Sequence, residues 1–219
     1  MSPLTKSVNK QLLPLYDKPL IFYPLSVLML AGIRNILIIV NRGQLNQFKK
    51  ILPEKNNLGI KIEYKEQLKP EGLPQAFTIG ESFIGKDNVS LILGDNFFYG
   101  QSLTKNLRKN MNFKKGARIF LHPVINSSLY GVATINNKKQ VIKLVEKPKK
   151  SKSNLAITGL YFFDNDVVKY TKKLKPSKRK ELEIVDLLNI YKKNKKLKAD
   201  FIGRGGSWLD TGSIDDFYD

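Results

Sequence analysis

The chain has 219 residues, 42% of them hydrophobic, and no cysteine, so it can build a sizeable core without disulfides or thiolate chemistry. With His122 as the sole histidine, zinc sites and Ser-His-Asp triads are set aside, and His122 reads as structural. The formal charge of +19 is spread along most of the chain, and its densest runs (147–152 and 192–198) lack interleaved aromatics; it reads first as a solvated basic surface, then as a handle for small polyanions, and last as a nucleic-acid footprint.

The first residues hold no uninterrupted apolar core of signal-peptide type, and the most hydrophobic stretch, 24–40, is broken by Gly32 and Arg34. A cytoplasmic protein with no membrane partner is therefore expected. Residues 2–17 are polar and read as a loop anchored by Leu12-Leu13-Pro14. A helix is predicted from Pro19 towards Ala31, with Gly32 as its terminator; Pro24 is tolerated near its start or moves that start slightly later. Residues 35–40 are almost unbroken apolar, the pattern of a parallel strand covered on both faces. A short helix over 44–52, a strand over 61–65, a helix over 75–84 and a strand over 89–93 continue the alternation. That alternation argues for βαβ units and a doubly wound sheet.

The second half is less regular. A strand is predicted over 117–122, a hairpin from 131–135 and 141–145 around Asn136-Asn137, and a strand over 154–163. Asp164 is expected to cap a helix, followed by an amphipathic helix over 182–191 and strands at 199–203 and 207–209. No linker or internal repeat interrupts the chain, so residues 1–219 read as a single domain. The predicted fold class is α/β, a mixed, mostly parallel sheet sandwiched by helices. A nucleotide-binding domain of this class usually opens with a strand and a Gly-rich turn, and this chain opens in a polar loop instead.

Five places could carry chemistry. In VSLILGDNFFYG (89–100) an apolar strand breaks at Gly94 and delivers Asp95, where a carboxylate could hold a divalent metal or a hydroxyl; Gly94-Asp95-Asn96 is equally an ordinary turn. Lys10 and Gln11 could meet a phosphate and a base edge, or be solvated. QLKPEG (67–72) joins a strand end to a helix start, which suits nucleotide binding but is also a common loop. Glu146-Lys147-Pro148 could take sugar hydroxyls and a phosphate, or be hairpin-end charges in water. In Trp208-Leu209-Asp210-Thr211-Gly212 a second acid could share Mg²⁺ with Asp95, cap a last helix, or do both.

Taken in order, SVNKQLLPLYDKPLIFYPLSVLMLAGI, QLKPEGLPQAF, LILGDNFFYG, YGVATI, LVEKP, AITGLYFFDNDVV, LEIVDLL and GRGGSWLDTG resemble the glucose-1-phosphate thymidylyltransferase family over nearly the whole chain. The resemblance implies a Rossmann-like nucleotide-diphospho-sugar transferase that moves a thymidylyl group from dTTP to glucose 1-phosphate with Mg²⁺, releasing pyrophosphate. It also implies a homo-oligomer, often a tetramer, with dTDP-rhamnose synthesis as one destination and no nucleic-acid partner. By the same resemblance Asp95 and Asp210 hold the metal, Asp95 also lies near the deoxyribose, Lys10 contacts phosphates and Gln11 lines the nucleotide pocket. Gln67 and the Gly72 backbone read thymine, Tyr130 and Gly131 border the sugar, Glu146 accepts its hydroxyls and Lys147 binds its phosphate. Ile157 stands where the family usually has Val.

The sequence departs from the family pattern at its ends. Met1-Ser2-Pro3-Leu4 aligns just after the family's first strand and GGSGTR-type loop, which supplies an arginine, and Asp219 precedes the family's C-terminal helices. The expectation is thus a domain lacking that strand and loop, with a catalytically inactive remnant or a nucleotide-sugar binding protein as the alternative.

Overall fold

The computed structural model describes residues 8–203 and 205–211. Residues 2–7 of the predicted N-terminal loop, Gly212 and the last helix that Asp210 was expected to cap lie outside those residues. After a single 3-10 turn at Lys10–Leu12, strands β1 (Pro14–Leu15) and β2 (Lys18–Pro19) form a small antiparallel hairpin. Helix α1 (Phe22–Leu30), β3 (Asn35–Asn41), α2 (Leu45–Ile51) and β4 (Lys61–Gln67) follow. Next come α3 (Gln75–Ile79), α4 (Glu81–Ile84), β5 (Val89–Ile92), β6 (Asn96–Tyr99) and α5 (Leu103–Met111). The remainder is β7 (Ala117–Pro123), β8 (Gly131–Ile135), β9 (Val141–Glu146), β10 (Leu155–Phe163), α6 (Asp166–Thr171), α7 (Ile184–Lys193), β11 (Leu197–Phe201) and β12 (Ser207–Asp210).

Helix α1 starts at Phe22 and not Pro19, because Lys18–Pro19 is taken up by the hairpin. Pro24 then falls in the first turn, where no intrahelical N–H bond is lost. The helix expected over 75–84 divides at Gly80 into α3 and α4. Besides the β1–β2 hairpin, two further elements are absent from the sequence-based expectation. Helix α5 is largely polar and is held by Leu103 and Leu107, four residues apart and both buried. Strand β6 follows Asp95 at once and pairs with β12.

The chain divides into two compact units. The first comprises residues 1–68, 92–111 and 202–219. In it β3 and β4 pair in parallel from Asn35 opposite Lys61 to Asn41 opposite Gln67. Along β3 full burial alternates with partial burial, and Ile36, Ile38 and Val40 pack with Leu25 and Leu28 of α1 and Phe48 of α2. Each such side chain, fully buried, contributes about 1.5–3 kcal/mol. β6 and β12 add an antiparallel ladder.

The second unit comprises residues 69–91 and 112–201 and carries a mixed sheet in the order β11-β7-β10-β8-β9, with β5 also pairing with β10. The β11–β7 ladder is parallel, and the run from β7 through β10 and β8 to β9 is antiparallel, including the expected β8–β9 hairpin. β10 is buried along almost its whole length, with Tyr161 and Phe163 packed against α3, α6 and α7 residues such as Phe77, Val167 and Leu187. His122 sits in β7 opposite Ala156, and burial lowers its pKa.

Asp164 does not cap α6. The N-cap is Asn165, and the buried Asp164 carboxylate instead accepts the Gly116 N–H at 2.6 Å and the Tyr191 hydroxyl at 2.7 Å. Burial first, and then this carboxylate, pushes the Tyr191 phenol well above its ordinary range. Tyr191→Phe leaves one lobe of a buried acid without that donor. It is expected to cost about 1–3 kcal/mol of unfolding free energy, read from the urea midpoint at unchanged slope.

Candidate functional site

In the first unit the residues named from the sequence converge around the turn after β5. Asn96 N–H donates to the Leu93 carbonyl at 3.2 Å, closing a turn over Gly94-Asp95, so the stretch is a turn and also delivers an acid. A side chain at Gly94 would meet Gln11 Cγ at 3.0 Å; the glycine leaves room for Gln11 to lie against the turn. The Asn9 side chain accepts the Gln11 N–H and starts the 3-10 turn that presents Lys10. Lys10 Nζ donates to Asp95 Oδ2 at 2.8 Å, both side chains being mostly buried.

The backbone of Asp95 is clamped as well, since Thr211 gives its carbonyl both the backbone N–H (3.2 Å) and the hydroxyl (2.8 Å). In the β6–β12 ladder Asn96 lies opposite Asp210 and Phe98 opposite Trp208, so Asn96, Asp210 and Trp208 share a face. The Asn96 amide nitrogen donates to Asp95 Oδ1 at 3.2 Å and reaches Asp210 Oδ1 at 3.5 Å, while Asn96 Oδ1 accepts the Trp208 indole N–H at 2.6 Å. Asp95 and Asp210, far apart in sequence, are thereby brought to one amide. Gln67 stands at the C-terminal end of β4, its carbonyl taking the Arg42 N–H.

Two carboxylates on one amide fit a hard divalent cation. Mg²⁺ uses one or two protein carboxylates and completes its shell with water and phosphate oxygens. Among the described residues no group of three or more His, Cys, Asp or Glu side chains could enclose a metal.

In the second unit Gly131 pairs with Glu146 across β8 and β9, and the Lys147 N–H donates to the Tyr130 carbonyl at 3.1 Å. Lys147 has a positive φ of 38°, a conformation that costs a non-glycine residue of order 1 kcal/mol. It is exposed just past the end of β9, and its positive charge acts on the neighbouring Glu146 carboxyl. A side chain at Gly131 would lie 2.9 Å from Val185, 3.2 Å from Glu146 Oε2 and 3.5 Å from Ile157, so the glycine keeps a small space open beside the carboxylate. Ile157 is buried behind it. Gly72 has φ +107°, and a Cβ there would lie 2.1 Å from the Leu182 carbonyl oxygen; glycine alone allows this contact between backbones.

The loop before α7 supplies residues not singled out from the sequence. Arg179 lies 2.6 Å from Glu181, 3.5 Å from Glu183 and 3.7 Å from Glu146, and Ser177 donates its hydroxyl to the buried Glu183 at 2.7 Å. LEIVDLL flags the helix, but the arginine before it lies in the lysine-rich run KPSKRKE and is hidden there. Burial, then Glu183, raises the Glu146 carboxyl above its ordinary range, against the opposing pull of Arg179 and Lys147. Asp186 is raised too, by burial and Glu183.

The sequence profile described as Nucleotidyl transferase matches residues 1–219. The glucose-1-phosphate thymidylyltransferase of Neisseria meningitidis serogroup A is 49% identical over 217 residues, 99% of this chain and 75% of that protein. The enzyme of the same name from Mycolicibacterium smegmatis is 45% identical over 100% of this chain and 76% of its own length. Among solved structures, a Bacillus anthracis protein assigned as a glucose-1-phosphate thymidylyltransferase, in complex with sucrose, superposes with a TM-score of 0.91 at 35% identity, covering 100% of this chain and 87% of the other. A UDP-glucose pyrophosphorylase bound to UDP-glucose gives a TM-score of 0.85 at 26% identity, over 99% and 90% of the two chains.

A carboxyl whose pKa is raised in the fold keeps its proton where the unfolded chain has lost it, so stability falls as pH climbs above the ordinary Glu value of 4.5. Glu146→Gln removes that contribution. Its unfolding free energy should fall less steeply than the wild type's between about pH 4.5 and 7, measured by urea denaturation; parallel curves would contradict the burial argument.

Proposed function

We propose thymidylyl transfer from dTTP to glucose 1-phosphate for this chain, which belongs to the nucleotidyl transferase family. The observation that carries the reading is the meeting of Lys10, Asp95 and Asp210 at one turn, in a chain 49% identical to a glucose-1-phosphate thymidylyltransferase. A phosphate oxygen of the sugar phosphate attacks the α-phosphorus of dTTP. One P–O bond forms, the α–β anhydride bond breaks, and pyrophosphate leaves with its electron pair. No side-chain nucleophile is required, so the absence of cysteine and the single histidine are no obstacle.

Asp95 and Asp210 would hold Mg²⁺, which when bound supplies positive charge to the phosphates. Lys10, anchored on Asp95, is placed to meet a phosphate oxygen, and Gln11 to line the nucleotide. Gln67 and the Gly72 backbone are assigned to thymine. Tyr130, Gly131 and Ile157 border the sugar, Glu146 accepts its hydroxyls in the ionised form, and Lys147 binds its phosphate. Arg179 steadies Glu146 and offsets the charge of Glu183. We assign residues 1–219 to one nucleotidyltransferase domain. We place the chain in the cytoplasm, with no nucleic-acid partner, as a homo-oligomer feeding dTDP-rhamnose synthesis; among the described residues no helix is long and apolar enough to cross a membrane.

The purified chain, given dTTP, glucose 1-phosphate and Mg²⁺, should form dTDP-glucose and pyrophosphate in equal amounts. Asp95→Asn and Asp210→Asn should each lower kcat by at least about 100-fold, and Lys147→Ala should act mainly through KM for the sugar phosphate. A chain that binds dTTP yet forms no product would be the nucleotide-sugar binding protein of the alternative reading.

A further inference from the structure

We infer that Asn96 is a positioning residue for the cation site, and that Trp208 fixes the orientation in which it works. The inference rests on the proposed function only in taking Asp95 and Asp210 as the cation's carboxylates.

An indole N–H can only donate, so the atom of Asn96 that receives it must be the amide oxygen. The 2.6 Å bond from Trp208 therefore leaves the NH₂ group no choice but to face the two acids, at 3.2 Å from Asp95 Oδ1 and 3.5 Å from Asp210 Oδ1. Asn96 is 0% exposed and Trp208 6%, so neither can exchange its partner for bulk water. A reversed amide would point its oxygen at two carboxylates and strand the indole N–H as a buried donor without an acceptor.

The ladder makes this arrangement specific. Asn96 lies directly across from Asp210, and Trp208 is the diagonal neighbour on the same face, within reach of a long side chain. Asp95 Oδ2 is held by Lys10 and its backbone carbonyl by Thr211, so each acidic partner of Asn96 is tied to the backbone, the ladder or a cation. Two carboxylates near each other repel, and an amide donating to both holds them at one spacing without neutralising either. Outer-shell donors of this kind tune metal affinity by orienting the ligands.

A purely structural cap on the ladder would give a different result from a positioning residue: loss of stability with cation affinity intact. The test measures Mn²⁺ binding to the full chain by the spin-resonance signal of the free ion, alongside urea denaturation, for wild type, Asn96→Leu, Trp208→Phe, Asp95→Asn and Asp210→Asn. Asn96→Leu and Trp208→Phe should each weaken Mn²⁺ binding by about 10–100-fold in chains that remain folded. Trp208 is the single tryptophan, so its emission in the wild type should also shift on Mg²⁺ addition and saturate at site occupancy, a readout that needs no variant. If both aspartate variants lose Mn²⁺ while Asn96→Leu and Trp208→Phe bind it as the wild type does, or if the emission is unmoved by Mg²⁺, the inference is overturned and the metal site stands. If no variant changes Mn²⁺ binding, the metal assignment fails first and the inference with it.

Discussion

Asn96 and Asp210 are 114 positions apart in the chain, and the antiparallel register of β6 on β12 sets them side by side. Side chains alternate faces along a strand, so a slip of one residue would turn Asp210 and Trp208 away from Asn96 together. The rest of the first unit's site depends on that register. Thr211 reaches the Asp95 carbonyl because Asp210 is already in place, and Asp95 presents an oxygen to Lys10 because its backbone is clamped. Buried partners supply the rigidity. Leu12 packs in the same core as Leu25, Ile36 and Ile38, which fixes the 3-10 turn carrying Lys10 and Gln11.

The second unit solves a different problem, that of keeping acids usable at the edge of an apolar core. Glu183 is 8% exposed and Glu146 sits beside it, so both charges would be costly without a cation. Arg179 spans them, and Ser177 adds a neutral donor to Glu183. Glycine makes the geometry possible. At Gly131 any side chain would fill the space beside Glu146, and at Gly72 the loop backbone lies against the Leu182 backbone, whose N–H donates to the Glu71 carbonyl at 2.7 Å. The loop of residues 67–72 and the segment leading into α7 are therefore coupled through a main-chain contact, without side-chain complementarity.

These differences in mechanism explain what the sequence could show. β3 and β10 are read from their apolar runs, because their burial alternates or is nearly continuous, and the β8–β9 hairpin from the turn at Asn136-Asn137. α5 escaped because only Leu103 and Leu107 mark its inner face among polar residues, and β6 because its first residue follows a turn signal directly. Asp164 was assigned to capping by residue type, whereas its real partners, Gly116 and Tyr191, come from distant segments that no local pattern reports. Asp95 and Asp210 were visible as acids at element ends. Asn96 and Arg179 were not, since the orientation of an amide and the partner of one cation among many are facts of tertiary packing.

Charge at the first unit's site favours a divalent ion as its proposed occupant. Lys10 contributes one positive charge against the carboxylates of Asp95 and Asp210, so the site alone carries a net negative charge towards an incoming polyphosphate. Two unit charges about 4 Å apart repel by about 4 kcal/mol at an effective dielectric constant near 20, enough to lower occupancy roughly a thousandfold. A dipositive ion at the proposed site would reverse the local sign. The surplus of basic residues elsewhere cannot do this work, because exposed charges beyond about 10 Å are screened by salt. In the proposed reading the sign at a few half-buried oxygens, and not the +19 of the whole chain, decides whether a nucleoside triphosphate can settle.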